Sequence, residues 1–393
     1  MIVAVKYKIK KSTLLNALTL IYFFYGFFEP YLNQIVGPIM RFFIIVLAGL
    51  HIFRIKGKIK IEQFSLFYLL WLLYSCFTLI WARDYSIFRI HFFTVFGFVI
   101  LLICLLQKPI ENDLISGMIY TFWSGSFLIG LLSLFFHSAY HFDLRFTARQ
   151  VLTLFGVQTD PNNQAIFLMF GISISLYYLI VKREKLILCI STIVVNMISM
   201  MLTASRGGIL SFGVLTVIVI IFIIKDWKAK VWAIVVTIIS LAIISRFIPS
   251  FLNTSTLERL VEFDTYEGGG NRITIWKNAI ALMNENPLFY LFGSGWGSYY
   301  NYNGWAGMHN TYLEILCNTG IIGLFLFFSP IIYSCYYLWK KEKVLPVFII
   351  ISIFLPSFFI DCINKRFFWN AIFFLLICYF YEMQSLKNDK STI

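Results

Sequence analysis

Charge is what this sequence has least of. Asp, Glu, Lys and Arg make up 13% of the 393 residues, against 60% apolar residues. A soluble domain of this size has no use for so much apolar surface, so a water-soluble protein is excluded. Acidic side chains are the scarcer sign, 19 against 32 basic ones, for a formal net charge of +13. The seven cysteines lie mostly inside apolar runs, with no CxxC pair, which excludes a disulfide framework. Of the five histidines, only His137 and His141 are spaced i,i+4, and no third ligand stands near them. They read as a wet loop entrance, and no metal is expected. No Walker motif occurs, so bound nucleotide is not the energy source. Gly293-Ser294-Gly295-Trp296-Gly297 lacks the preceding strand of a dinucleotide fingerprint and reads as a tight turn. No cofactor and no nucleic-acid partner are expected. A cleavable signal peptide is not expected either: the basic start Lys6–Lys11 runs into apolar sequence without a small-residue cleavage site.

What is there is apolar runs of membrane-spanning length, with a mean hydropathy of +0.80. They predict an all-α, polytopic helical membrane protein, a single integral membrane domain over 1–393. Twelve spans are expected, at roughly 12–28, 35–53, 63–81, 87–106, 114–136, 164–181, 186–204, 207–224, 231–248, 311–338, 344–360 and 367–383. Lys6, Lys8, Lys10 and Lys11 precede the first span, and Arg54, Lys56, Lys58 and Lys60 follow the second. Lys182, Arg183 and Lys185, Lys225, Lys228 and Lys230, Lys340, Lys341 and Lys343, and Lys387 and Lys390 all fall on the same side if the spans alternate. By the positive-inside rule that side is the cytoplasm. Both termini are then cytoplasmic, and the loops 137–163 and 249–310 face outward.

The two sides differ in cation type. In this topology the inner side holds 20 basic residues, 18 of them Lys, while the outer half holds 12, of which 10 are Arg. The ten are Arg41, Arg83, Arg89, Arg145, Arg149, Arg206, Arg246, Arg259, Arg272 and Arg366. Topology disfavours cations there. Some of them have an ordinary reading, in ion pairs with Asp84, Asp160, Glu262 or Asp361 or at lipid headgroups. The remainder point to an outward-facing anion site, because guanidinium binds phosphate in a planar, bidentate way.

The loop 249–310 carries local signals. Ser255-Thr256-Leu257-Glu258 is a capping-box pattern that predicts a short surface helix, ended by Gly268-Gly269-Gly270. Asn271 is placed to cap a second helix, with Ile273, Trp276, Ile280 and Met283 on one face and its end before Pro287. Arg272 then sits in that helix's first turn. A cation there opposes the helix dipole, a conflict that a bound anion resolves. Arg206 stands in a turn of small residues, Thr203–Gly208. Arg145 and Arg149 precede Asp160-Pro161-Asn162-Asn163, where Asp160 or Asn162 is suited to cap the sixth span. His309-Asn310 lies at the mouth of the tenth span, where ionisable groups are costly and are functional candidates by default.

In this order the motifs resemble the O-antigen polymerase/O-antigen ligase family. They are Asp160-Pro161-Asn162, Ser205-Arg206-Gly207, Arg272 with Trp276, Asn286-Pro287 leading into Gly293-Ser294-Gly295, then His309-Asn310 with Tyr312-Leu313-Glu314 and Gly320-x-x-Gly323. The resemblance covers roughly 145–330 by motif. The ligase pattern carries a small or polar residue shortly after the second glycine, where this chain has Leu326.

The resemblance implies a metal-independent glycosyltransferase of the bacterial inner membrane. Its donor would be a glycan on undecaprenyl pyrophosphate at the outer face. Its acceptor would be another carrier-linked repeat (polymerase) or lipid A-core (ligase), with a flippase and a chain-length regulator as partners. The residues suit that chemistry. Arg206 and Arg272 would neutralise the departing pyrophosphate. His309 would be the base, since histidine ionises near pH ~6.5. Arg145, Arg149, Asn162, Trp276, Lys277, Asn310 and Tyr312 would hold substrate. Trp276, Trp296, Trp305, Tyr299, Tyr300, Tyr302 and Tyr312 offer rings for sugars, although aromatic residues line any membrane interface. A transporter or flippase would instead carry mid-membrane charges and two related halves, and neither is apparent.

Overall fold

The computed structural model describes residues 11–391, apart from 38, 57–58, 85, 108, 141–148, 236–238, 240–271 and 304–306. Several expectations lie outside those residues: Arg145, His141, Arg246, Arg259, Trp305, most of the span at 231–248, the helix at Ser255–Glu258, the glycines 268–270 and the Asn271 cap.

Helix dominates, as the apolar runs require. The elements are α1 (Lys11–Val36), α2 (Ile39–Arg54), α3 (Gln63–Phe77), α4 (Ser86–Leu105), α5 (Asn112–Phe135), α6 (Pro161–Tyr177), α7 (Leu186–Leu202) and α8 (Arg206–Ile218). Then come three short helices, α9 (Arg272–Asn284), α10 (Leu288–Phe292) and α11 (Ser298–Tyr302), followed by α12 (Thr311–Lys340), α13 (Val344–Phe354) and α14 (Arg366–Ser391). Among the described residues, seven helices are long and apolar enough to cross a membrane: Gln63–Ile80, Ile87–Leu105, Asn112–Phe135, Pro161–Lys182, Arg206–Ile223, Thr311–Lys340 and Arg366–Leu386. Phe42–Arg54, Leu186–Leu202 and Val344–Phe358 are shorter apolar helices at expected spans. The chain is an all-α polytopic membrane protein.

Two helices form the interior. α6 is buried from Gln164 to Leu176 and α14 from Arg366 to Tyr379, all round in both cases, as expected of helices surrounded by protein. The exterior is apolar as well: Phe53 is 81% and Ile187 83% exposed, which only a lipid surrounding makes tolerable. Inside, polar side chains join helices where small residues admit them. The Asn196 amide donates to Ser126 Oγ and to the Leu168 carbonyl, both at 3.0 Å, beside Gly130 and Gly171.

One departure from an all-helical outline lies between α5 and α6. Strands β1 (His137–Ala139), β2 (Gln150–Leu154) and β3 (Val157–Gln158) form a small antiparallel sheet, with His137 opposite Leu152 and Thr153 opposite Gln158. His137 is therefore in a strand, and the i,i+4 helical spacing with His141 does not apply. Strands this short carry too little alternation to stand out in the sequence.

α12 is broken at Gly320, whose φ is +63°. A side chain there would strike the Leu291 carbonyl, and one at Gly293 would strike the backbone at Asn318. The turn 293–297 has Gly293, Gly295 and Gly297 at φ of +82°, +93° and +95°. Its Ser294 donates from both N and Oγ to the Cys317 carbonyl, at 2.7 and 2.9 Å. The expected tight turn is thus a strap laid on the break in α12, and the glycines are needed for close backbone approach.

Candidate functional site

The sequence-expected residues gather at one end of the bundle, at the N-termini of α6, α8, α9 and α12. Three of these starts have a local cause in the described residues. Asp160 caps α6, accepting from the Asn162 and Asn163 amides at 2.8 and 3.3 Å, with Pro161 at the first helical position. Ser205 caps α8 by accepting from the Gly208 amide at 3.3 Å. Asn310 caps α12, its Oδ1 accepting from Tyr312 and Leu313, both at 3.0 Å.

On one flank, polar side chains are cross-linked. Arg149 donates from Nε to the Thr203 carbonyl at 3.2 Å and from Nη2 to Asn162 Oδ1 at 3.1 Å. The same Oδ1 accepts from Ser205 Oγ at 2.9 Å. Arg149 and Asn162 were expected to hold substrate; these bonds tie the 203–205 turn to α6 and orient the start of α8. Arg206 follows as the first residue of α8, half-buried.

Phe359 links this flank to the next. A Cβ on Gly207 would lie 2.9 Å from its ring, and the Arg272 guanidinium lies over it at 5.7 Å. The structure therefore brings Gly207, the residue after Arg206, and the Arg272 guanidinium to one aromatic ring, from segments separated by the residues 240–271. Arg272 is the first residue of α9, as expected. The face of α9 differs from the expected one. Ala279, Leu282 and Met283 are buried with Ile275 packed beside them, whereas Ile273 and Ile280 are 54% and 48% exposed. The helix is turned so that Trp276 donates to the Met308 carbonyl at 3.1 Å, which fixes the approach to His309. Lys277 is exposed.

His309 is exposed and holds a left-handed backbone, φ +49°. Such a conformation needs outside support in a non-glycine residue. Asp361, in the turn between α13 and α14, supplies it: the His309 and Asn310 amides bond its carboxylate, the latter at 3.0 Å. Thr311 completes the seam, donating to the Ile360 carbonyl at 2.7 Å and accepting from the Cys362 amide at 2.8 Å. Burial pushes the Asp361 carboxyl above its ordinary range, against the opposing pull of His309, the two amides and Lys365. Glu314 is fully buried nearby, with neither carboxyl oxygen hydrogen-bonded. Sequence reasoning named Asp361 only as an ion-pair partner for arginines. Its signal, a lone acid between two apolar runs, was present, but the link to His309 is tertiary.

Three residues expected at the substrate are engaged in the fold. The Asn310 oxygen caps α12. Tyr312 has both ring faces occupied, by Phe358 at 4.2 Å and Phe328 at 5.5 Å, and its hydroxyl donates to the Phe354 carbonyl at 2.7 Å. Trp296 is 2% exposed against Trp71 and Phe88. Neither of these rings is open to a sugar. Two of the ten outer arginines are also accounted for by ion pairs, with acids other than those expected: Arg83 with Glu285 and Arg366 with Glu29. Among the described residues, no cluster of three or more metal-ligating side chains occurs.

Residues 191–328 match the family model described as O-antigen ligase. This stretch, about a third of the chain, is similar to that family and supports the O-antigen ligase/polymerase resemblance. The match runs from α7 into α12 and contains Arg206, Arg272, Trp276, His309 and the Gly320–Gly323 pair. Arg149, Asn162 and Asp361 lie outside it. No curated protein matches the chain. The match supports a glycosyl-transferring membrane enzyme.

Proposed function

We propose that this protein transfers a glycan from undecaprenyl pyrophosphate to an acceptor hydroxyl at the outer face of the bacterial inner membrane, polymerising surface-polysaccharide repeats. The observation that carries this reading is that Arg206 and Arg272 start two helices packed on Phe359, through Gly207 on α8 and the Arg272 guanidinium on α9, at the end of the bundle where His309 is exposed. Both arginines begin helices, so each brings a guanidinium together with amide groups that have no intrahelical partner. A pyrophosphate leaving group develops charge as the glycosidic bond breaks, and preorganised guanidinium groups stabilise it without a metal. His309 then accepts the proton of the attacking hydroxyl. One displacement of this kind inverts the anomeric carbon. Arg149 and Asn162 shape the site rather than bind in it, and Lys277 and Trp276 flank the donor.

A ligase reading shares these residues, and the description of the matching family favours it. Leu326, partly buried against the core, stands where the ligase pattern carries a small or polar residue and favours the polymerase. Purified protein given carrier-linked repeats alone is expected to yield a ladder of polymer. A single product that forms only when lipid A-core is added would overturn the polymerase in favour of the ligase. No product with either acceptor would overturn glycan transfer itself.

A further inference from the structure

Arg366 stood among the outward arginines that suggested an anion site. The structure uses it otherwise. Its Nε and Nη2 donate to the two carboxyl oxygens of Glu29 on α1, each at 2.8 Å. The side chain is 4% exposed, and the guanidinium lies over the rings of Tyr22 at 4.8 Å and Phe98 at 5.6 Å. Its third nitrogen is buried as well. Gly26 of α1 faces the stem, where any Cβ would meet Arg366 Cδ and Asn370 Nδ2 at 3.0 Å. A phosphate has no approach to this guanidinium.

The place of the clamp in the chain gives it meaning. Arg366 is the first residue of α14, and the residues just before it, 360–365, form the turn that holds His309. That turn is pinned at its other points too. Trp369 Nε1 donates to the Ile363 carbonyl at 2.7 Å, and the Lys365 amide donates to the Cys362 carbonyl at 2.9 Å. Thr311 joins its early residues to α12. The run from Glu29 through Arg366 and the turn to Asp361 ends on the amides that keep His309 left-handed. A bidentate pair fixes direction as well as distance, which a lysine in the same place does not.

We propose that Arg366, through its forked pair with Glu29, is a positioning residue for His309. It sets the first turn of α14 against α1 so that Asp361 meets the 309–310 backbone. The inference rests on the role proposed above for His309. The test is Arg366→Lys, which keeps the charge and loses the fork, made in the parent and in a His309→Ala background. Gly26→Ala presses on the Arg366 stem without removing a charge, and it keeps the test open if Arg366→Lys does not insert.

Turnover of carrier-linked substrate and amide hydrogen exchange are both measured on inserted protein. The expected result for Arg366→Lys is a kcat lower by roughly 10- to 100-fold, the range for a reacting group displaced by about 1 Å, with donor KM unchanged. Exchange across 307–312 should quicken while 321–338 stays as in the parent. In the His309→Ala background the same substitution should cost nothing further. Gly26→Ala should show the same pattern more weakly. The proposal is overturned by unchanged exchange at 307–312, by an undiminished kcat, or by a loss that persists without His309. If His309→Ala alone turns over at the parent rate, the reading of His309 falls, and the exchange data then decide the clamp by themselves.

Discussion

The two flanks of the candidate site are built in opposite ways. Around Asn162, side chains bond side chains: Arg149 and Ser205 share one amide oxygen, and Asp160 caps the helix that carries it. Around His309, nearly every anchoring bond is made to the backbone. Asp361 takes the amides, Trp276 takes the Met308 carbonyl, and Asn310 closes α12. The first arrangement commits its polar side chains to scaffolding. The second fixes the chain through its main-chain groups and leaves the imidazole exposed for chemistry. A polar residue near a site is therefore not evidence of contact with substrate; what matters is which of its atoms are already bonded.

Three substitutions test that contrast, taken from the largest expected effect to the smallest. Replacing His309 should remove general-base assistance, a loss of ~10²–10⁴-fold. His309→Gln, which keeps a polar contact, should be nearly as poor as His309→Ala when turnover is measured on inserted protein. A Gln variant close to the parent rate would leave the two flanks alike in function.

Next comes the support beneath His309. Asp361→Ala deprives the 309 and 310 amides of their acceptor, and the left-handed turn should relax. Turnover should fall by about 100-fold, as expected of a misplaced reacting group. Asp361→Asn keeps an acceptor oxygen and should recover part of it. Equal activity in both variants would mean that the imidazole needs no such support.

The smallest catalytic effect belongs to the scaffolding flank. Asn162→Ala leaves Arg149 and Ser205 without their shared acceptor, at a cost to stability of about 1–3 kcal/mol. Thermal unfolding in detergent should show that loss, while activity per folded molecule stays near the parent value. A large drop in activity with unchanged stability would instead return Asn162 to substrate binding and dissolve the contrast.

Much of this was legible in the sequence. Apolar run length alone announces membrane helices, because backbone groups in hydrocarbon must be satisfied within the segment. The helix start at Pro161 follows from Asp160, since capping is a local bond, whereas the caps Ser205 and Asn310 were read as a turn and a substrate residue. The break at Gly320 and the strap at 293–297 were visible as glycines, although not as partners. Less legible were the facing of α9, where Ile273 and Ile280 looked like the buried stripe and are exposed, and the use of each arginine. Arg206, Arg272, Arg149 and Arg366 are the same residue type on the same expected side. One is a forked ion pair, one a brace, and two stand at helix starts, of which Arg272 lies over the Phe359 ring.

The sequence by itself determined the membrane class, the start of α6 and the family resemblance of the 191–328 stretch, because these depend on composition, short-range hydrogen bonds and ordered motifs. Only the tertiary structure decided which acid supports His309, which arginine is enclosed by Glu29, and that Gly207 and Arg272 meet at Phe359. Those pairings join residues that are far apart along the chain, and nothing local marks a partner. The choice is made when α1, α8, α12 and α14 pack together and desolvate the charges, which leaves each one to be neutralised by whichever group the packing brings within reach.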